Sequence, residues 1–472
     1  MRTPPPAPPS APTQSPPAVE GALRTEVTAT LRLAVPVAVT QLSMMAMGVI
    51  DTLLVGPLGA DALGAVGIAN VVYFAVTTFF VGVLMALDAL ISQAFGADDS
   101  ARAGRLLWQG TWLGLATGVL ATLCFLDTRW LFDLAGQPAE VGRLADLYLT
   151  ARAPSAVALI TFTATRAWLN GAGEARPVMV LTLIALVING VADVGLIYGR
   201  FGLPEMGVAG AGLATTIVRW FLLLTTMAVL ASPRWRGHNL APSRPRWREL
   251  RAIVGLGLPI GAQMLAEFGI FGAAGVMAGW LGADALAAHQ ISLTLAALVF
   301  MVPVGIAIAG SVRVGQEVGG GRLDGAMRAG QVALALGAAF MVAAAAVFVS
   351  VPSWLAGLFS PDPAVVRIGA GLLVIAAIFQ VADGLQVVAA GCLRGASETH
   401  SALIANLAAH WLVGIPLAWF LAFPMGLGVE GLWWGMTAAL FVAGISLTWR
   451  FLRGGWRAKA GGHGDPHVSR AV

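Results

Sequence analysis

The chain has 472 residues, 58% of them hydrophobic and only 11% charged, with a formal net charge of +4 and a mean hydropathy of +0.81. Soluble globular proteins carry about 25% charged residues, so a water-facing fold of this length would lack the charge to cover its surface. The composition excludes a soluble domain and points to a polytopic membrane protein.

Taken in chain order, the first stretch, MRTPPPAPPSAPTQSPPAVEGA, is Pro-rich and low in complexity. It reads as part of a disordered tail over residues 1–28, without the apolar centre of a signal peptide. Twelve apolar segments follow, near 31–55, 62–94, 105–126, 143–168, 178–199, 207–231, 250–280, 285–316, 327–350, 365–391, 401–422 and 428–452. Each can cross a hydrocarbon core that takes about 20 helical residues. In lipid only helices or closed barrels satisfy the backbone, and the segments lack the short alternating pattern of barrel strands. The predicted fold class is therefore an all-α polytopic membrane protein of about twelve transmembrane helices. Pro36, Pro154, Pro259, Pro303 and Pro416 fall inside segments and predict kinks. Residues 454–472 read as a second loose tail.

Arginines mark the loops after even-numbered segments: Arg102 and Arg105, Arg166 and Arg176, the run from Arg234 to Arg251, Arg322 and Arg328, and Arg394. Loops after odd-numbered segments hold few. The positive-inside rule then places both termini in the cytoplasm. The positive charge is thus a signature of topology, not of a nucleic-acid surface. Cys124 and Cys392 lie in apolar segments and form neither a disulfide framework nor a metal site. Arg152 and Arg219 fit the pattern poorly: each falls inside a segment, where it would snorkel, face a watery cavity or touch substrate.

The chain is also a duplication. LGADALGAVG begins at Leu58 and LGADALAAHQ at Leu281, a shift of 281 − 58 = 223. Pro36 and Pro259, Gly82 and Gly305, Gln93 and Gln316, and Arg105 and Arg328 keep the same shift. LNGAGEARP at Leu169 and LRGASETHS at Leu393 are shifted by 393 − 169 = 224. This divides the chain into a first six-helix lobe at 29–232, a cytoplasmic linker at 233–249 and a second six-helix lobe at 250–453. An even number of spans per copy gives a parallel repeat, with a cleft between lobes.

Charges inside hydrocarbon cost a few kcal/mol or more and are usually paired or functional. The candidates are Asp51, Asp88, Asp193, Glu267 and Asp383. Asn189 and Asp193 are spaced i, i+4 and share a helix face, so Asp51, Asn189 and Asp193 are expected to converge in the first lobe. Glu267 and Asp383 are expected to converge in the second. Asp88 lies nearer the inner end of its segment, and its repeat position is Ser311. Buried carboxyls can exchange a proton, a sodium ion or a cationic substrate. His289 and His410 read as interior histidines, with His289, Gln290 and Gln41 kept as secondary candidates. No catalytic or phosphate-binding motif is found, and Lys459 is the only lysine, so no enzyme and no ATP-driven pump is expected.

MGVIDTLLVGPLGADALGAVG, GAGEARP, LIYGRFGLPEMGVAGAGLAT, ALAAHQISLTLAALVFMVPVGIAIAGSVRVG and FQVADGLQVVAAGCLRG together resemble the multidrug and toxic compound extrusion family, closest to its NorM-like branch. The resemblance runs from about residue 30 to 452. It implies a two-lobed secondary antiporter that exports cationic or amphiphilic compounds across a bacterial inner membrane against entering H+ or Na+. Asp51 then matches the family's first-helix acid, Glu267 the acid eight residues after Pro259, and Asp383 the acid of D-x-x-Q-x-x-x-x-G, with Gln386 and Gly391 in place. Asn189 and Asp193 resemble the fifth-helix pair of proton-coupled members. Relatives often carry Tyr where Phe379 stands, one turn before Asp383. That loss of a phenol oxygen weakens a sodium site at Glu267 and Asp383 and favours protons. No cofactor is implied, and the chain is read as a monomer in the bilayer. The alternative is a flippase of lipid or lipid-linked saccharide on a related fold. Its phosphate-binding cleft should be cationic, whereas the candidate cleft residues here are mostly acids.

Overall fold

The computed structural model describes residues 19–238 and 240–461. Helices make up the fold, and no strand occurs among the described residues. Twelve segments are labelled in chain order: α1 (Val19–Val55), α2 (Ala60–Gly96), α3 (Ser100–Cys124), α4 (Ala139–Arg152 with Ser155–Gly171), α5 (Arg176–Tyr198) and α6 (Val208–Leu230) in the first lobe. The second lobe has α7 (Trp247–Trp280), α8 (Ala283–Gly319), α9 (Leu323–Ser350), α10 (Pro363–Gly395), α11 (His400–Ala422) and α12 (Gly428–Leu452). Among the described residues, eleven are single helices long and apolar enough to cross a membrane, and α4, bent by 44° at its break, makes twelve.

The duplication is visible in the helix ends. α2 and α8 start and stop 223 residues apart (283 − 60 and 319 − 96). The short helices Arg129–Leu134 and Pro352–Gly357 keep that shift (352 − 129). The starts of α5 and α11 are 400 − 176 = 224 apart. Glu174 and Glu398, at this same shift, each pair with an arginine close to the end of the sixth helix of their lobe, Arg234 just after α6 and Arg450 in the last turn of α12.

Two of the expected boundaries are corrected. The tail expected over 1–28 is helical from Val19, because Glu26 receives two hydrogen bonds from Arg313 of the other lobe, at 2.9 and 2.7 Å. Residues 1–18 lie outside the described residues. The tail expected from 454 is likewise ordered as far as Gly461. The buried Trp456 stacks on Phe451, ring centroids 5.6 Å apart, and donates its indole N–H to the Phe451 carbonyl; residues 462–472 lie outside the description. The prolines do not act alike either. Pro154 stands at the break of α4, and Pro416 follows a π turn at Ala408–Gly414. Pro36, Pro259 and Pro303 sit inside uninterrupted helices. The linker strand is held down: Trp108, Gln109 and Trp112 of α3 hydrogen-bond to Leu240, Ser243, Arg244 and the Arg246 backbone.

The close backbone contacts between the lobes run from the end that carries the arginine-rich loops to the middle of α1, α2, α7 and α8. There the contacts are reciprocal. A Cβ added to Gly96 would overlap the Gln316 carbonyl, and one on Gly319 would overlap the Gln93 carbonyl. Gly82 lies against Gly261, and Gly305 against Ala38. Side-chain amides cross in the same reciprocal way: Gln93 Nε2 donates to the Gly395 carbonyl at 2.8 Å, and Gln316 Nε2 to the Gly171 carbonyl at 2.9 Å. Only small residues allow two backbones this close, as in other helix pairs packed in lipid. Towards the opposite end, no side-chain hydrogen bond among the described residues joins the lobes.

Leucine at Gly319 would have to displace the Gln93 backbone, and overpacking of this kind costs about 1–3 kcal/mol. Spin labels at Arg102 and Asp324, on exposed positions of the two lobes, are expected to move apart in Gly319→Leu relative to wild type. An unchanged distance distribution would show that this contact does not hold the lobes together.

Candidate functional site

Each lobe holds its own polar group inside the apolar bundle. In the first lobe, α1 brings in Asp51 one turn before its end, and α5 presents Asn189 and Asp193 from one face. Asn189 Nδ2 donates to Asp51 Oδ1 at 3.0 Å. Thr215 of α6 donates to Asp51 Oδ2 at 3.0 Å, sharing its proton with the Ala211 carbonyl at 3.1 Å. Asp193 stands beside Asp51, and neither of its buried oxygens has a donor partner. A proton held between the two carboxyls would supply that donor. The expected convergence of Asp51, Asn189 and Asp193 is present in the fold, with Thr215 as a further member.

In the second lobe, Glu267 of α7 receives Gln263 Nε2 at 3.0 Å and Gln386 Nε2 at 2.6 Å on one oxygen. Gln386 also donates to Asn406 Oδ1 at 2.7 Å. Asn406 is carried by α11 just before the π turn, where His410 Nδ1 lies 2.9 Å from the Asn406 carbonyl. Asp383, 8% exposed, stands one turn before Gln386 on α10, near Glu267, and has no hydrogen-bond partner. Oxygen donors of this type suit a proton or a hard cation. Among the described residues no group of three or more His, Cys, Asp or Glu is placed to hold a metal ion.

Phe379 is buried in an aromatic wall one turn from Asp383, 6.4 Å from the Phe271 ring and 5.4 Å from Trp433. His289 belongs to the same wall: its Nδ1 accepts the Trp433 indole N–H at 3.2 Å, while its buried Nε2 has no partner. Gln290 is exposed beside it.

Asp88 joins neither acid pair. It is completely buried on α2, and both its oxygens lack hydrogen bonds. Its charged neighbours are Arg166 from its own lobe and Arg394 from the other. Gln41 lies in this region too, accepting from Arg166 Nη1 at 3.2 Å. This cluster sits where the lobes touch, so its place is at the seam and not at the acid pairs. Sequence reading flagged Asp88 but not its partners, because Arg166 and Arg394 are numbered as loop residues yet are buried. Thr215, Gln263 and Asn406 also carried no signal, because single neutral polar residues recur along many of the apolar segments.

Two parallel copies of a six-helix bundle, joined at one end and each holding buried carboxyls, define a two-lobed helical membrane protein of the transporter type. The MatE family model matches residues 36–194 and 259–420, one block in each lobe. The chain belongs to this family, whose name denotes multidrug and toxic compound extrusion. It is 38% identical over 430 residues to the probable multidrug resistance protein NorM of Burkholderia mallei, covering 90% of this chain and 92% of that one. It is 39% identical over 445 residues to the probable NorM of Rhodopseudomonas palustris, covering 93% and 94%. The fold matches the crystal structure of the eukaryotic MATE transporter AtDTX14 with a TM-score of 0.85 at 22% identity, over 93% of this chain and 98% of that one. It matches the bent form of the Vibrio cholerae MATE transporter VcmN with a TM-score of 0.83 at 20% identity, over 93% and 99%.

Gln386→Leu would leave Asn406 Oδ1 without its donor and Glu267 with Gln263 alone. An orphaned buried polar group costs about 1–3 kcal/mol. The variant is expected to unfold at a lower temperature than wild type in detergent, and an equal melting temperature would remove Gln386 from the frame of the second-lobe site.

Proposed function

We propose that this chain is a secondary antiporter that exports cationic or amphiphilic compounds across a bacterial inner membrane, driven by inward H+ or Na+. The observation that carries this reading is the pair of neighbouring carboxyls in each lobe, Asp51 with Asp193 and Glu267 with Asp383, away from the seam. A structural acid needs one fixed partner. Asp51 and Glu267 are held by neutral amide and hydroxyl donors, and Asp193 and Asp383 beside them keep positions open for a proton, a metal cation or an organic cation. The names of the relatives, multidrug resistance proteins, support the drug class.

The mechanism follows from mutual exclusion. An entering ion neutralises a carboxyl pair, which then holds an organic cation less well, and the substrate leaves. Rocking of one lobe against the other changes the side to which both sites open. With the arginine-rich end in the cytoplasm, as the positive-inside rule places it, the seam closes the cytoplasmic side and the acid pairs face outward. The substrate would then leave to the outside in the arrangement described here.

Protons suit the donor set better than sodium. Phe379 offers no oxygen next to Asp383, and both glutamines that reach Glu267 present N–H groups to it. The first-lobe pair, with Asp193 lacking any donor, likewise accommodates a proton without further ligands. No cofactor enters the cycle, no catalytic step is assigned, and one chain holds both sites, so a monomer suffices.

The test is efflux of a cationic dye from proteoliposomes under separately imposed proton and sodium gradients. Export following the proton gradient is expected, with Glu267→Gln combined with Asp383→Asn falling to the leak rate of empty vesicles. Export that follows sodium at fixed pH would overturn the proton assignment, and no flux under either gradient would overturn the antiporter.

A further inference from the structure

Two arginines within the helices of the first lobe take no part in the scheme above. Arg152 ends the first half of α4, and it is only 5% exposed. Its Nη1 donates to Asn70 Oδ1 and lies against the Tyr148 hydroxyl. Its Cζ sits 4.2 Å from the centroid of the Tyr73 ring, and its buried Nε has no partner. Arg219 comes from the middle of α6, one turn after Thr215. Its Nη1 is buried without a partner, while the residue as a whole is partly exposed. Its ionisable neighbours are Tyr73, Arg152, Asp51 and Tyr148.

Among the described residues neither arginine forms an ion pair within 4.0 Å. Asp51 is near both, yet it takes its hydrogen bonds from Asn189 and Thr215 and not from a guanidinium. The lobe therefore keeps two cationic groups close to Asp51 but unjoined to it, with Asp193 on the far side of that carboxyl pair. A guanidinium held in a bundle interior without a counter-ion is unfavourable, and a carboxylate brought to it would offset part of that cost. Arg152 is partly compensated by its aromatic neighbours. Arg219 is not, and one of its N–H groups is left over.

The geometry points to Arg152 and Arg219 as an anion-binding element of the first-lobe site, one that receives the carboxylate of a zwitterionic substrate whose ammonium end is held by Asp51 and Asp193. A guanidinium fork matches a carboxylate in shape and charge. The complement of a site with both signs of charge a short distance apart is a molecule that carries both. Such a ligand would give Arg219 its missing partner and leave the Asn189 and Thr215 bonds intact. The element gives the first-lobe site an anion-binding half, and it rests on the exporter reading for its role in transport.

The experiment uses the full chain in proteoliposomes and a matched pair of substrates: an amphiphilic amine bearing a free carboxylate, and its methyl ester. Wild type is expected to export both, and Arg219→Gln to lower the acid-to-ester ratio of kcat/KM by roughly tenfold or more, the size of a lost charge-assisted hydrogen bond. Arg219→Lys should restore part of the ratio. A merely structural arginine would slow both compounds alike, and an unchanged ratio overturns the proposal. So does a wild type that exports only the ester, while the antiporter reading survives. If wild type exports neither compound, the antiporter reading fails instead. Binding of the same pair to the purified protein, followed by tryptophan fluorescence, then decides the anion site. Tighter binding of the acid that Arg219→Gln abolishes supports it, and equal affinity overturns it.

Discussion

The seam at the arginine-rich end is the contact on which the two-lobed arrangement depends. Gly96 and Gly319 let each lobe place its backbone against a carbonyl of the other, at Gln316 and Gln93. Because the four residues are related by the repeat, each lobe contributes the same two atoms, and neither can shift without disturbing both contacts. A backbone-to-backbone contact also has no side chain that can repack gradually. It is made or it is broken, which is the property that a rocking pair of rigid lobes requires. Glu26 and Arg313, and Arg105 and Glu249, add ion pairs across the same end.

The cost of charge in hydrocarbon divides the buried polar groups into three sets with different solutions. At the seam, Asp88 lies between arginines of opposite lobes, so its environment exists only while the lobes are together. In the second lobe, Glu267 is held by two glutamine amides and Asp383 is left without a partner. In the first lobe, Asp51 and two guanidiniums are near but unjoined. Only at the seam do opposite charges from the two lobes face each other. The other two sets remain incomplete without a proton, a metal cation or a ligand, and incompleteness of this kind in a costly location is the physical mark of a transport site.

Much of this was legible in the sequence because the bilayer enforces a simple grammar. Segment ends read from hydropathy fall within a few residues of the helix ends for α2 through α12. The i, i+4 spacing of Asn189 and Asp193 placed them on one face, and the repeat predicted which acids belong to which lobe. The misread boundaries have a common cause. Residues 19–28 and 454–461 are too polar to look like membrane spans, yet Glu26 and Trp456 find partners that lie far away in the chain or against its preceding helix. The prolines are not alike: α1 and α7 run unbroken through Pro36 and Pro259, whereas α4 breaks at Pro154. Thr215 illustrates the limit from the other side. Threonines on these helices commonly bond to the carbonyl four residues back, as Thr40, Thr77 and Thr182 do, and nothing in the local sequence separates Thr215 from them.

The sequence by itself determined the solvent, the number of spans, the duplication and the acids worth asking about, because each of these is a matter of composition or of spacing along one helix. Tertiary structure alone decided which acids are partners, that Asp88 belongs to the seam, that the lobes close at one end, and that Arg152 and Arg219 lack counter-ions. Those facts depend on side chains from helices distant in the chain meeting inside a low-dielectric interior, where a few ångströms decide whether two charges neutralise each other or stand apart.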